Sequence, residues 1–136
     1  MENRTVILNK YESIERCINR INEEYEGNAN NLNNYSKADA IVLNLQRACE
    51  LVIDIAMYII STQKLGIPQT KKEAFEILLK NNYITDETYK KMRGMIGFRN
   101  IAVHSYQTIN WETVFQIITT ELEDFKQFVK EIMKLI

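Results

Sequence analysis

The chain has 136 residues, with 17 Lys or Arg against 18 Asp or Glu and a formal net charge of −1. A chain of this length buries about two-thirds of its unfolded surface, so residues 1–136 are expected to form a single domain. The near-neutral charge argues against a protein that binds nucleic acid over most of its surface. A polyanion would therefore have to bind a local cluster of basic residues. Only four Gly and one Pro are present, which predicts a helical protein.

The sequence favours a cytoplasmic protein. Its N-terminus lacks the apolar run of a signal peptide, and no stretch approaches the roughly 20 apolar residues of a membrane span, so no membrane association is expected. Cys17 and Cys49 lie among apolar residues without metal-ligand spacing. They are interpreted as free, buried thiols in a reducing compartment.

Apolar residues at spacings of three and four predict five helices. These are expected at residues 4–25, 36–62, 70–80, 86 to about 101, and from 110 to the end of the chain. Short connections make neighbouring helices antiparallel. The predicted fold is therefore all-α, an up-and-down bundle of four long helices plus one short helix.

Polar residues mark the predicted helix starts. Ser36 followed by Asp39 is similar to a capping box for the second helix, because the acid also suits a helix N-terminus. Thr70, Thr85 and Asn110 precede the third, fourth and fifth helices in the same way.

The second helix is the most apolar, and its broad stripe is typical of a central helix touched by several neighbours. Arg47, Glu50 and Asp54 nevertheless share one of its faces. They form a solvated stripe or an internal salt bridge, or else Glu50 or Asp54 crosses the bundle to hold Arg99 or His104.

A cationic segment leads to the chain's only histidine, His104. Between residues 88 and 111 there is no acid, and the segment is expected to attract a negatively charged ligand. Its lysines and arginines are Lys90, Lys91, Arg93 and Arg99. Gly94 and Gly97 lie within the predicted fourth helix and are interpreted as a smooth patch that admits a close partner or ligand.

Arg99 and His104 are five residues apart, so on an ideal helix their directions differ by about 140°. To act together they need either a helix that ends between them or a site completed by a second chain. If each residue is considered alone, His104 is interpreted as a structural histidine and Tyr106 as a packing residue. A lone histidine supplies too few ligands for a metal, no phosphate loop is present, and Ser105 lacks a nucleophile turn, so neither metal nor cofactor is expected.

Taken together, Arg99, Asn100, His104 and Tyr106 form an Arg-x4-His-x-Tyr motif with an asparagine beside the arginine. The motif and the helix layout resemble the HepT family of the HEPN superfamily over essentially the whole chain. The resemblance implies a HEPN-like bundle that is the toxin of a type VII-like toxin–antitoxin module, a metal-independent endoribonuclease. It also implies a partner, an MntA-type minimal nucleotidyltransferase antitoxin that silences the toxin by attaching AMP to Tyr106.

The resemblance also suggests roles for individual residues. His104 would act as acid or base, Arg99 would hold the phosphate, and Asn100 would bind a substrate oxygen or orient Arg99. Glu50 and Asp54 would support this pair. The residues expected to bind the RNA, a tRNA or an mRNA, are Lys90, Lys91 and Arg93.

Cleavage needs two proton transfers, and the chain has one histidine. A homodimer with two motifs across one cleft is the economical solution. The alternative function is a non-catalytic HEPN-like binding module that docks the nucleotidyltransferase or RNA without cutting.

Overall fold

The computed structural model describes residues 2–136, and within them all regular structure is helical, as predicted. Residues 2–136 contain six α-helices in succession. They are α1 (Glu2–Tyr25), α2 (Tyr35–Thr62), α3 (Lys71–Lys80), α4 (Asp86–His104), α5 (Trp111–Gln116) and α6 (Glu123–Met133). A short 3-10 turn precedes α2, a second follows α4, and a π turn joins α5 to α6.

Three of the predicted helix starts are confirmed by side-chain caps. The hydroxyl of Thr70 accepts the backbone N–H of Glu73, and that of Thr85 accepts the backbone N–H of Thr88. The Asn110 side chain accepts backbone N–H groups at the start of α5. These local bonds satisfy donors that the first helical turn would leave unpaired.

Two predicted boundaries were wrong. Helix α2 starts earlier than Ser36 because the Asn34 side chain caps it by accepting the backbone N–H of Lys37. Helix α4 continues past Ile101 to His104, since neither glycine nor proline interrupts it there. It ends at Ser105, whose φ of −148° leaves the helical region while its N–H still bonds the carbonyl of Ile101 at 2.8 Å.

The last predicted helix is divided by the π turn at Ile117–Glu121. The hydroxyl of Thr119 donates to the carbonyl of Phe115 at 2.6 Å, and that of Thr120 to the carbonyl of Gln116 at 2.7 Å. Such bonds compete with backbone pairing and loosen a helix locally. The turn therefore separates α5 from α6, and the prediction of one uninterrupted helix was wrong here.

Helix α2 is the centre of the bundle, as its broad apolar stripe predicted, and it contacts α1, α3 and α4. Its fully buried side chains include Ile41, Leu45, Ile55 and Ile59. The aromatic rings of Phe75 and Phe128 extend the same core between α3 and α6. Because α2 packs against α4, polar side chains of these two helices can meet at the surface of the bundle.

Cys17 and Cys49 are buried free thiols, as predicted. Burial raises the pKa of the Cys49 thiol to about 12, which keeps it protonated and unreactive at neutral pH. Within residues 2–136, no helix combines the length and the apolarity that crossing a bilayer requires.

Candidate functional site

The motif occupies the C-terminal end of α4 and the turn behind it. Arg99 and His104 both lie inside the helix, so the possibility that the helix ends between them is wrong. An ideal helix separates them by about 7.5 Å along its axis and by about 140° around it. The two side chains of one copy therefore point to different sides of α4.

Arg99 is held by two residues. Its Nε and Nη2 both donate to Oε2 of Glu50 on α2, at 3.2 and 3.0 Å, and its Nη1 donates to Oδ1 of Asn100 at 3.3 Å. The arginine side chain is only 13% exposed, whereas that of Glu50 is 37% exposed. The guanidinium thus sits at a fixed place at the edge of the bundle.

This arrangement leaves part of the guanidinium available. Arginine has five N–H donors, and the bonds to Glu50 and Asn100 use one each on Nε, Nη1 and Nη2. One N–H remains on each of the two terminal nitrogens of Arg99. Two such donors match the spacing of two phosphate oxygens.

Asp54 is the other carboxylate predicted to hold Arg99 or His104. It lies one turn beyond Glu50 and is exposed. It lines a surface groove between α1 and α2 together with Arg16 and Arg47. In the described part of the chain its carboxylate makes no hydrogen bond or ion pair with Arg99 or His104. The structure therefore brings Glu50, but not Asp54, to the motif.

The basic residues of α4 fall on two sides of the helix. Lys90 and Arg93 precede His104 by 14 and 11 positions, which places them within about 40° of its direction, and all three are exposed. Lys91 lies about 140° away from His104 and pairs with Asp124 of α6 at 3.2 Å. Lys90 and Arg93 thus share a side with the histidine, and Lys91 does not.

Tyr106 stands in the 3-10 turn directly after α4 and is 39% exposed. Its hydroxyl donates a hydrogen bond to Oδ1 of Asp39 on α2. Its ring meets that of Trp111 edge to face, with centroids 6.3 Å apart. Burial, and then the neighbouring Asp39 carboxylate, raise the pKa of the Tyr106 hydroxyl to about 12.

Sequence reasoning missed the partners of Tyr106. The sequence pattern identifies Asp39 only as an acid that stabilises the start of α2, and it assigns no role to Trp111. The hydrogen bond between Asp39 and Tyr106 spans 67 positions of the chain. No local pattern indicates it, because α2 and the turn after α4 meet only in the folded bundle.

Comparisons with known proteins identify the family of this chain. The family model described as "Ribonuclease HepT-like" matches residues 8–132. A protein of Shewanella oneidensis named mRNA nuclease HepT is 43% identical over 124 residues, which cover 91% of this chain and 93% of that protein.

Two solved structures share the whole fold. A crystal structure of a toxin–antitoxin with AMP-PNP has a TM-score of 0.91 at 41% identity, covering 96% of this chain and 98% of that one. A tri-AMPylated Shewanella oneidensis HEPN toxin in complex with MNT antitoxin has a TM-score of 0.89 at 42% identity, covering 95% and 97%. The chain therefore belongs to the HepT-like ribonuclease family.

Proposed function

We propose that this chain is the toxin of a toxin–antitoxin pair, a metal-independent endoribonuclease that acts on RNA in the cytoplasm. The observation that carries the proposal is the guanidinium of Arg99, fixed by Glu50 with two N–H donors still available, on the same helix as the exposed His104. The name of the Shewanella oneidensis relative, an mRNA nuclease, supports RNA as the substrate.

The residue types suit cleavage by the RNA's own 2′-hydroxyl. The 2′-oxygen bonds to the adjacent phosphorus as a base takes its proton, and the bond from phosphorus to the 5′-oxygen breaks as an acid protonates that oxygen. His104 serves as base or acid, because an imidazole can both accept and donate a proton. The two free donors of Arg99 bind the phosphate oxygens on which charge accumulates. The products are a 2′,3′-cyclic phosphate and a 5′-hydroxyl.

A homodimer completes this site. Each copy supplies one histidine, and Arg99 and His104 of one copy point about 140° apart on α4. Among the described residues, the exposed large apolar side chains of Ile101, Val103 and Phe115 lie beside the motif. A second copy packed there would cover them and place two motifs in one cleft. Light scattering that gives the monomer mass at micromolar concentration would contradict this arrangement.

The RNA is expected to follow the side of α4 that carries His104. Lys90 and Arg93 extend this side over about 21 Å from the histidine. Lys90 is paired with Asp86 at 3.0 Å in an exposed ion pair that a phosphate can replace. Lys91 contributes less, because it is tied to Asp124 on another side of the helix.

Silencing is proposed to occur at Tyr106, through an MntA-type nucleotidyltransferase that transfers AMP to its hydroxyl. The tri-AMPylated toxin with its MNT antitoxin, 42% identical to this chain, supports such a partner. Tyr106 lies two residues beyond His104 and is accessible at the surface. An added AMP would bring bulk and negative charge to the edge of the RNA cleft.

Cleavage is tested by incubating a labelled RNA in EDTA with the wild type and with His104→Ala. We expect cleavage by the wild type only, with 2′,3′-cyclic phosphate ends. Circular dichroism of His104→Ala checks that the variant is folded. If neither protein cuts while both still bind RNA or the nucleotidyltransferase, the chain is a binding module and the ribonuclease proposal is wrong.

Modification is tested with the nucleotidyltransferase partner, Mg²⁺ and ATP. The mass of the wild type should rise in steps of one AMP, and Tyr106→Phe should stay unmodified. An equal gain of mass by both proteins would exclude Tyr106 as the site.

A further inference from the structure

Tyr106 and Asp39 form an exposed pair at the surface beside the motif. Asp39 lies in the second turn of α2 and accepts the hydroxyl hydrogen of Tyr106 through Oδ1. Both residues are exposed, so a second protein carrying ATP can reach the phenolic oxygen while the hydrogen bond is in place. The cleavage chemistry proposed above makes no use of Asp39.

We propose that the Asp39 carboxylate is the general base for the modification of Tyr106, taking the phenolic proton as the hydroxyl attacks ATP. The inference rests on the proposed function, in which Tyr106 receives AMP. It assigns a catalytic group for silencing to the toxin itself rather than only to the enzyme that modifies it.

The Tyr106 oxygen bonds to the α-phosphorus of ATP, and the bond from that phosphorus to the oxygen bridging to the β-phosphate breaks. Pyrophosphate leaves with the bonding electron pair, and the phenolic proton passes to Oδ1 of Asp39. The protonated carboxyl then loses this proton to water.

A nearby base is needed because the free phenolate is scarce. With the pKa of Tyr106 raised to about 12, roughly one molecule in 10⁵ carries the phenolate at pH 7. A carboxylate that already accepts the hydroxyl hydrogen can remove it while the new bond forms, so a free phenolate is never required.

The pair also orients the nucleophile. Because the hydroxyl hydrogen points at Asp39, the remaining lone pairs of the oxygen are free to meet an electrophile. The edge-to-face contact with Trp111 restrains the ring that carries this oxygen. The reacting atom is thus positioned before the partner arrives.

The test measures single-turnover AMP transfer from ATP by a saturating amount of purified MntA-type nucleotidyltransferase. Asp39→Asn keeps the size and an acceptor oxygen but cannot take a proton, so the rate should fall by about 10²–10⁴-fold. Asp39→Glu should recover part of the rate. Glu12→Gln, a change at an exposed acid on α1, is the matched control and should react like the wild type.

Two further measurements separate a base from a structural contact. Affinity of Asp39→Asn for the nucleotidyltransferase should stay within about twofold of the wild type, and so should its cleavage of RNA. A loss of rate that merely follows a loss of affinity would make Asp39 a docking contact and overturn the proposal. So would a wild-type transfer rate in Asp39→Asn.

The outcomes also distinguish this inference from the proposed function. If wild-type Tyr106 accepts no AMP, the silencing mechanism itself is wrong. If the wild type and Asp39→Asn are modified equally fast at Tyr106, the silencing mechanism stands and only the role of Asp39 fails.

Discussion

Replacing Glu50 with alanine tests how firmly Arg99 must be held. The substitution removes the oxygen that accepts from Nε and Nη2 of Arg99 at 3.2 and 3.0 Å. The side chains of Arg99 and Glu50 are 13% and 37% exposed, so this ion pair is neither fully exposed nor fully buried. A surface ion pair contributes up to about 1 kcal/mol of stability, and disrupting a buried one costs about 3–5 kcal/mol. We expect Glu50→Ala to lower the free energy of unfolding by about 2 kcal/mol.

The effect on cleavage should be larger than the effect on RNA binding. Without Glu50, only Asn100 still fixes the guanidinium, through a single bond at 3.3 Å. A reacting group displaced by about 1 Å loses roughly 100-fold in rate, which corresponds to about 2.7 kcal/mol of barrier. Because the positive charge of Arg99 remains, KM should change by less than about threefold.

Stability is measured by urea unfolding at one fixed protein concentration, where about 2 kcal/mol corresponds to a midpoint shift of about 1 M. Cleavage is followed with a labelled RNA under steady-state conditions. Asp54→Ala, one turn along α2 and exposed, is the matched comparison and should change neither quantity. A Glu50→Ala protein that is less stable but keeps the wild-type kcat would refute the positioning role.

Three further outcomes are expected from the bundle. Glu131→Ala should lose about 3 kcal/mol of stability in urea unfolding, because this buried carboxylate accepts hydrogen bonds from the Thr88 hydroxyl at 2.6 Å and the Thr85 backbone at 2.7 Å. Burial alone would raise the pKa of Glu131, but these bonds and that from Gln127 outweigh it and lower the pKa. Its ionisation-linked stabilisation is therefore complete above the unfolded pKa of about 4.3 and is lost as pH falls through the lower folded value, so the stability difference between wild type and variant should shrink as the pH falls below the unfolded value. Gly94→Ala should raise the melting temperature by an amount equivalent to about 0.5–1 kcal/mol, since the added methyl meets open space and alanine favours a helix; a lower melting temperature would contradict this.

The helix layout could be predicted from the sequence because its causes are local. Thr70, Thr85 and Asn110 cap helices through bonds to groups two or three residues away, and apolar periodicity identifies the buried faces. Asn34 was missed as a cap because the surrounding asparagines all favour turns. The end of α4 is predicted only approximately, because no glycine or proline between Ile101 and Ser105 marks where the helix stops.

The contacts that build the site depend on tertiary packing. The bond between Glu50 and Arg99 was one of several pairings that the sequence left open, and only the distance between α2 and α4 selects it. The pairing of Tyr106 with Asp39 requires tertiary packing too, near the start of α2. A period of three or four residues says which side of a helix is buried, but not which polar residue of a distant helix lies opposite.

The π turn at Ile117–Glu121 sets the rotation of α5 relative to α6. A π turn accommodates about one residue more than an α-turn, so it rotates α5 relative to α6 by about 100°. Deleting one residue there would restore a continuous helix and turn Trp111 away from Tyr106, while α6 kept its packing against α1 and α4. Deleting one residue in this segment would therefore change the surface beside the motif without repacking the core.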